Sequence, residues 1–319
     1  MPAARPNQHN PLRIALKIDV PTYRATLEGV PTLADILRRH GAGASFVFAL
    51  GPDRSGRAIG HLGSPHLHGR ATHTSLSGHF GLRSLLYGSL LPAPSIGQRC
   101  AGILRKVRDD GFEVGLHGWD TLAWTAEVEN ADTAWSEIQL KHAVESYEQI
   151  FASPPKLHAA PGWRSNPHSL RLTQRQGFTY ASDTRGRHPF VPVWNGEIVR
   201  CPQYPTTLPT LDELADRAKP DPQALCDQLL ALTAEPAPTG HVFSLRAKQN
   251  TAQHVDLIEA LLTGWREQGY ELTSIQTLAA GLDMDKLPRH EVVVGTVPGR
   301  CGTLLLQGEE FLSAWRYSP

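Results

Sequence analysis

The chain has 319 residues, 40% of them hydrophobic, enough for one large core or two ordinary ones. Its 31 Lys and Arg balance 31 Asp and Glu, so no overall field draws it to nucleic acid, and a polyanion would need a local patch. Four cysteines, Cys100, Cys201, Cys226 and Cys301, lie far apart with no Cys-x-x-Cys pair, which excludes a zinc knuckle and a redox motif and reads as reduced, mostly buried thiols.

Residues 1–11 are polar, carry Pro2, Pro6 and Pro11, and read as a flexible N-terminus without the apolar run of a secretory signal. No stretch reaches about 18 apolar residues, so no membrane span is expected and the chain reads as cytoplasmic. Ile14, Leu16 and Ile18 alternate and predict a first strand over Arg13–Val20, with Asp19 at its C-terminal end. A helix over Pro31–His40 follows, with Pro31 at its start and Gly41 as its stop. The near-continuous apolar run Ala44–Leu50 predicts a strand buried on both faces.

The segment Ser55–Pro94 has no periodicity and is too long for a plain connection, so it reads as a loop insertion. It holds His61, His66, His68, His73 and His79, whose spacing fits no single helical face. Within it, residues 82–91 are apolar and flanked by Arg83, suited either to a lipid interface or to a helix packed on the core. Beyond it the pattern predicts a helix over Ile96–Asp110, a strand over Phe112–His117, a helix over Asp132–Phe151, strands near Thr179 and Val242, and a last long helix over Thr251–Gln268 capped by Thr251. Strand and helix in alternation imply a parallel sheet wrapped by helices, a barrel or an open sheet, and no Gly-x-Gly-x-x-Gly supports a dinucleotide fold. In a barrel the chemistry gathers at the C-terminal strand ends, where Asp19 and His117 fall, although a polar residue often closes a strand without further role.

The runs Ile18-Asp19-Val20-Pro21-Thr22-Tyr23-Arg24 and Glu28-Gly29-Val30-Pro31 resemble the start of the deformylases of lipid-linked formamido-arabinose, members of the polysaccharide-deacetylase (NodB-homology) superfamily. The resemblance continues through Gly51-Pro52-Asp53, Glu113 to Asp120, Gly162-Trp163-Arg164, Ser182 to Gly186, Thr207 to Thr210, Gln253-His254 and Gly299-Arg300-Cys301-Gly302, nearly the whole chain. It implies one distorted (β/α) barrel domain over residues 12–319 that acts on the amide of an N-acylated or N-formylated sugar, carried on a lipid and met at the inner membrane face. It also implies a divalent metal such as zinc, a carboxylate base and an acid.

Carried over by position, Asp19 matches the base, His117 the first metal histidine, Arg164 the arginine that orients the base, and Asp183 the carboxylate that supports a late histidine. Three positions depart from the pattern. Pro21 replaces the metal aspartate, Thr121 the second metal histidine, and Arg246 the late acid histidine. Proline has no side-chain ligand atom, threonine is a poor ligand, and arginine does not release its proton near neutrality. Three outcomes are open: a sugar-binding pseudoenzyme that regulates an active relative, metal-free chemistry with Asp19 and His117, or ligands recruited from Asp120 or the loop histidines.

Trp119, Trp124 and Trp163 read as sugar-stacking platforms or core residues, and Arg185 joins Trp119 and Trp163 as a substrate contact. Asp19 could instead be the ion-pair partner of Arg164, and Asp183 that of Arg185 or Arg246. The expectation for Arg246 is a salt bridge to Asp183 or Asp19.

Overall fold

A computed structural model describes residues 11–57, 86–215, 221–248, 250 and 254–312. Its strands in chain order are β1 (Arg13–Val20), β2 (Ser45–Phe48), β3 (Glu113–Leu116), β4 (Leu157–His158), β5 (Tyr180–Ala181), β6 (Val191–Trp194), β7 (Glu197–Ile198), β8 (His241–Arg246), β9 (Glu271–Thr273), β10 (Arg289–Gly295) and β11 (Leu304–Glu310). Its helices are α1 (Val30–Arg39), α2 (Ile96–Asp109), α3 (Thr121–Glu127), α4 (Thr133–Phe151), α5 (Pro167–Arg175), α6 (Leu211–Leu214), α7 (Pro222–Leu232), α8 (Val255–Glu267) and α9 (Ile275–Ala280).

The main sheet is parallel and runs β5-β4-β3-β2-β1-β8, with β9 also paired to β1. The alternation in β1 decides its two faces. Ile14, Leu16, Ile18 and Val20 join the large cluster under the helices, with Phe46, Phe48, Leu104, Leu140 and Trp265. The other face carries Ala15, Lys17 and Asp19, and Ala15 joins a second cluster with Val47, Leu157, Tyr180, Tyr204 and Val242. Parallel register places Ser45 and Ser244 beside Lys17, and Val47 and Arg246 beside Asp19, so this inner face is apolar at one end and polar at the other.

Among the described residues no strand joins β5 to β8. The extended segment 202–208 bridges them instead: Ala181 N donates to Pro202 O at 2.9 Å and Tyr204 N to Ala181 O at 2.7 Å, while Thr207 N donates to Val242 O at 3.0 Å. The architecture is therefore the distorted barrel the sequence implies, curled and closed by a seam. The helix limits follow from their caps. Asp132 accepts from Trp135 N ahead of α4, Asn166 and Ser169 form a reciprocal capping box ahead of α5, and α1 is followed by Gly41 at φ +53°.

The structure corrects the end of the chain. The sequence reading stops at a last long helix, whereas β9, α9 and a second sheet, β11-β10-β6-β7, lie beyond or beside it. Val292 to Val294 and Leu304 to Leu306 are apolar runs around a Pro298-Gly299 turn, so this hairpin had a legible signal. Cys100, Cys201 and Cys226 are buried free thiols and Cys301 is exposed. No helix among the described residues is long and apolar enough to cross a membrane. Residues 1–10 of the N-terminus expected to be flexible over 1–11, the five loop histidines, Leu82 to Leu85, the Thr251 cap and Gln253 lie outside the described residues. The ends of the 55–94 insertion meet, Gly56 N donating to Tyr87 O at 3.0 Å, and residues 86–91 form a tight turn rather than a helix, with Leu91 N on Leu86 O at 2.8 Å.

Candidate functional site

Asp19 is the penultimate residue of β1, Arg246 the last of β8, and His117 follows β3 directly, so all three sit at C-terminal strand ends. They line one cavity together with Trp119 and Trp163. Trp119 is seated against Gly51, where an added Cβ would lie 2.7 Å from its ring and carbonyl oxygen. Trp163 follows Gly162 in a tight turn and itself has φ +57°, an uncommon backbone for a bulky residue. The turn is held from both sides: the indole N–H donates to Thr206 Oγ1 at 2.9 Å, and Lys17, Arg185 and Arg300 stand 4.7, 5.1 and 4.7 Å from the ring centroid.

Asp19 is 6% exposed. One oxygen accepts from Ser244 Oγ at 3.0 Å, and the other, Oδ1, has no hydrogen-bond donor although Lys17 Nζ lies 3.7 Å away. Burial opposes its charge, but Lys17, His117, Ser244 and Arg246 together hold the carboxyl below its ordinary value. His117 is buried, and its Nδ1–H donates to Ala159 O at 2.8 Å, which leaves Nε2 as a bare acceptor. Burial pushes its pKa down to about 4, against the pull of Asp19, so the ring is neutral near pH 7. The cavity thus presents two acceptor groups, the Asp19 carboxylate and the neutral imidazole of His117.

The residues that would complete a metal site do not fit one. Thr121 and Pro21 satisfy each other, the threonine hydroxyl donating to Pro21 O at 3.1 Å. Asp120, the candidate recruited ligand, spends Oδ1 on Leu122 N and Ala123 N at the head of α3 and Oδ2 on Arg54 at 2.7 Å. Among the described residues no group of three or more His, Cys, Asp and Glu converges on a point, and of the positions that match the metal ligands only His117 offers a ligand atom.

Several expected partners are different. Arg164 does not orient Asp19; its guanidinium is engaged by Glu129 at 2.8 Å and by the Thr125 carbonyl. Asp183 is fully buried and pairs with neither arginine: Oδ1 accepts from His158 Nδ1 at 2.8 Å and Ala160 N at 2.7 Å, and Oδ2 from Gln203. Arg185 is held by Glu213 at 2.6 Å and stacks on Trp163 behind the cavity. Arg246 makes its ion pair with Asp212 at 2.9 Å, so the expected bridge to Asp183 or Asp19 is overturned. Trp124 is core, its indole N–H on Arg164 O at 2.8 Å.

Lys17 and His158 escaped the sequence reading. Lys17 is 1% exposed; burial draws its pKa down while Asp19 and Asp183 oppose the shift. Its signal was present, since the β1 alternation sets it on the same face as Asp19. Nothing local marks His158, which is the last residue of a two-residue strand.

No family profile matches the chain. A protein of Shewanella sediminis (strain HAW-EB3), named as the probable 4-deoxy-4-formamido-L-arabinose-phosphoundecaprenol deformylase ArnD, is 32% identical over 299 residues, 93% of this chain and 95% of the relative. One of the same name from Wigglesworthia glossinidia brevipalpis is 26% identical over 88% of this chain and 96% of its own. A solved structure of a Mycobacterium smegmatis protein described as a polysaccharide deacetylase shares the fold, with a TM-score of 0.59 and 15% identity over 93% of this chain and 98% of that one.

Proposed function

The chain belongs to the 4-deoxy-4-formamido-L-arabinose-phosphoundecaprenol deformylase family, and from that premise we propose that its cavity takes the amide of an N-acylated, lipid-linked aminosugar. The observation that carries this reading is the buried, ionised Asp19 carboxylate in a cavity wall shared with the bare Nε2 of His117 and two indoles. Two acceptors suit the N–H and O–H groups of a sugar amide, and indole faces suit the apolar faces of a sugar ring. On the hydrolytic reading, Asp19 takes a proton from water, the resulting hydroxide adds to the acyl carbon, and the carbon–nitrogen bond breaks as Asp19 returns that proton to the leaving nitrogen. With His117 neutral and Arg246 permanently charged, Asp19 has to serve both as base and as acid.

The hydrogen bond between Thr121 and Pro21 favours a second reading, in which the sugar is held without turnover. Formate release from an N-formylated aminopentose, assayed beside its binding, separates the two. Binding with formate release supports hydrolysis, binding without it supports the pseudoenzyme, and no binding overturns both. Within this reading residues 12–319 act as one domain, the protein works at the inner membrane face, and the lipid lies along the turn 86–91. That turn packs on Arg54, which lines the cavity, and exposes Leu86, Leu90 and Leu91.

A further inference from the structure

Behind Asp19 lies a positive charge that never reaches the cavity. Lys17 and Asp19 are two apart on β1 and leave the same face of the strand, yet only Asp19 lines the cavity. The lysine ammonium stands 3.7 Å from Asp19 Oδ1, donates to Ser182 O at 3.4 Å and sits over the Trp163 ring. An amine enclosed on three sides cannot swing out to water. Arg246 adds a second cation near Asp19, being its register partner across the sheet.

The cations around Asp19 already have acidic partners: Arg185 and Arg300 share Glu213, Arg246 has Asp212, and Lys17 feels both Asp19 and Asp183. A ligand carrying its own full positive charge to Asp19 would meet Lys17 behind the carboxylate and Arg246 beside it. A neutral N–H or O–H asks only for a lone pair of the Asp19 carboxylate and that of His117 Nε2.

We propose that Lys17 supplies from inside the barrel the positive charge that Asp19 requires, and that it makes the cavity select the uncharged, N-acylated form of an aminosugar over the free amine. The proposal rests on the preceding reading of the cavity as an aminosugar site. It makes Lys17 a specificity-determining residue that touches no ligand, and it makes the deacylated sugar, a cation at neutral pH, the form that is expelled.

The test is a tryptophan-fluorescence titration, with Trp119 and Trp163 as reporters in the cavity wall. An N-formylated aminopentose and the same sugar as its free amine are titrated with and without a chelator. The wild type is expected to hold the formylated sugar at least about tenfold more tightly, unchanged by the chelator. Lys17→Met is expected to abolish that preference, and Lys17→Arg to keep it. Equal binding of both sugars by the wild type overturns the proposal even if Lys17→Met fails to fold. A Lys17→Met protein with the wild-type ratio overturns it too, as does a preference that vanishes with the chelator, because a bound metal would then be the charge at work. If neither sugar binds, the aminosugar site itself fails, and this inference with it.

Discussion

His117 shows what the interior of this barrel does to a single side chain. Its proton is fixed on Nδ1 by Ala159 O and its pKa lies at about 4 in the fold, against 6.5 in the unfolded chain. Between those values the unfolded chain binds a proton that the folded one refuses, so stability rises with pH across the interval and is lost on acidification. For one buried site the loss amounts to up to about 3 kcal/mol from pH 6.5 to pH 4. Urea midpoints measured at intervals from pH 7 to 4.5 are expected to fall faster for the wild type than for His117→Gln; parallel curves would refute the assignment. At this scale Asp19 and His117 were legible because each closes a strand in a recognisable motif. The partners of Arg164, Asp183 and Arg246 were not, since Glu129, His158 and Asp212 come from elsewhere in the chain and motif order carries no side-chain direction.

The elements hold the cavity walls through close backbone approach. Gly51, three residues past β2, leaves no room for a Cβ beneath Trp119, so the glycine fixes where that indole stands. Gly51→Ala is expected to cost about 1–3 kcal/mol through overpacking and to weaken sugar binding by displacing Trp119. Thermal denaturation together with the fluorescence titration checks this, and an unaltered melting temperature with unaltered affinity would contradict the packing. Elements with strong local signals, such as α1 with Pro31 at its start and the long α4, were readable to within a residue or two. Strands β4 and β5 have two residues each and gain their identity from pairing, for which a two-residue stretch offers no period.

For the molecule as a whole, the alternation of strands and helices left a barrel or an open sheet, the resemblance implied the barrel, and both missed its seam and the second sheet, because closure by segment 202–208 depends on backbone contacts between distant residues. The surface beside the cavity belongs to this scale as well. Leu90 is 81% exposed on the turn 86–91, and Arg57 Nε donates to Gly88 O at 2.9 Å in the same turn. An anionic bilayer matches both the apolar tip and the arginine. The wild type is expected to sediment with phosphatidylglycerol vesicles and Leu90→Asp to bind them at least about tenfold more weakly, while both retain the soluble sugar. Equal sedimentation of the two proteins would remove the membrane from the reading.

The threefold pairing of β1 sets the order in which a growing chain can finish. β1 takes one neighbour, β2, from residues that follow within a few tens of positions, but β8 and β9 complete it only after His241 and Glu271 have been made. Until late in synthesis the strand on which the barrel is built has one flank open and much of its apolar surface uncovered. Lys17 and Asp19 then sit as charges within an otherwise apolar run, and charges so placed discourage a nascent strand from pairing with a neighbouring copy. Asp19 in the cavity wall and Lys17 behind it therefore guard the same strand while the ribosome is still at work.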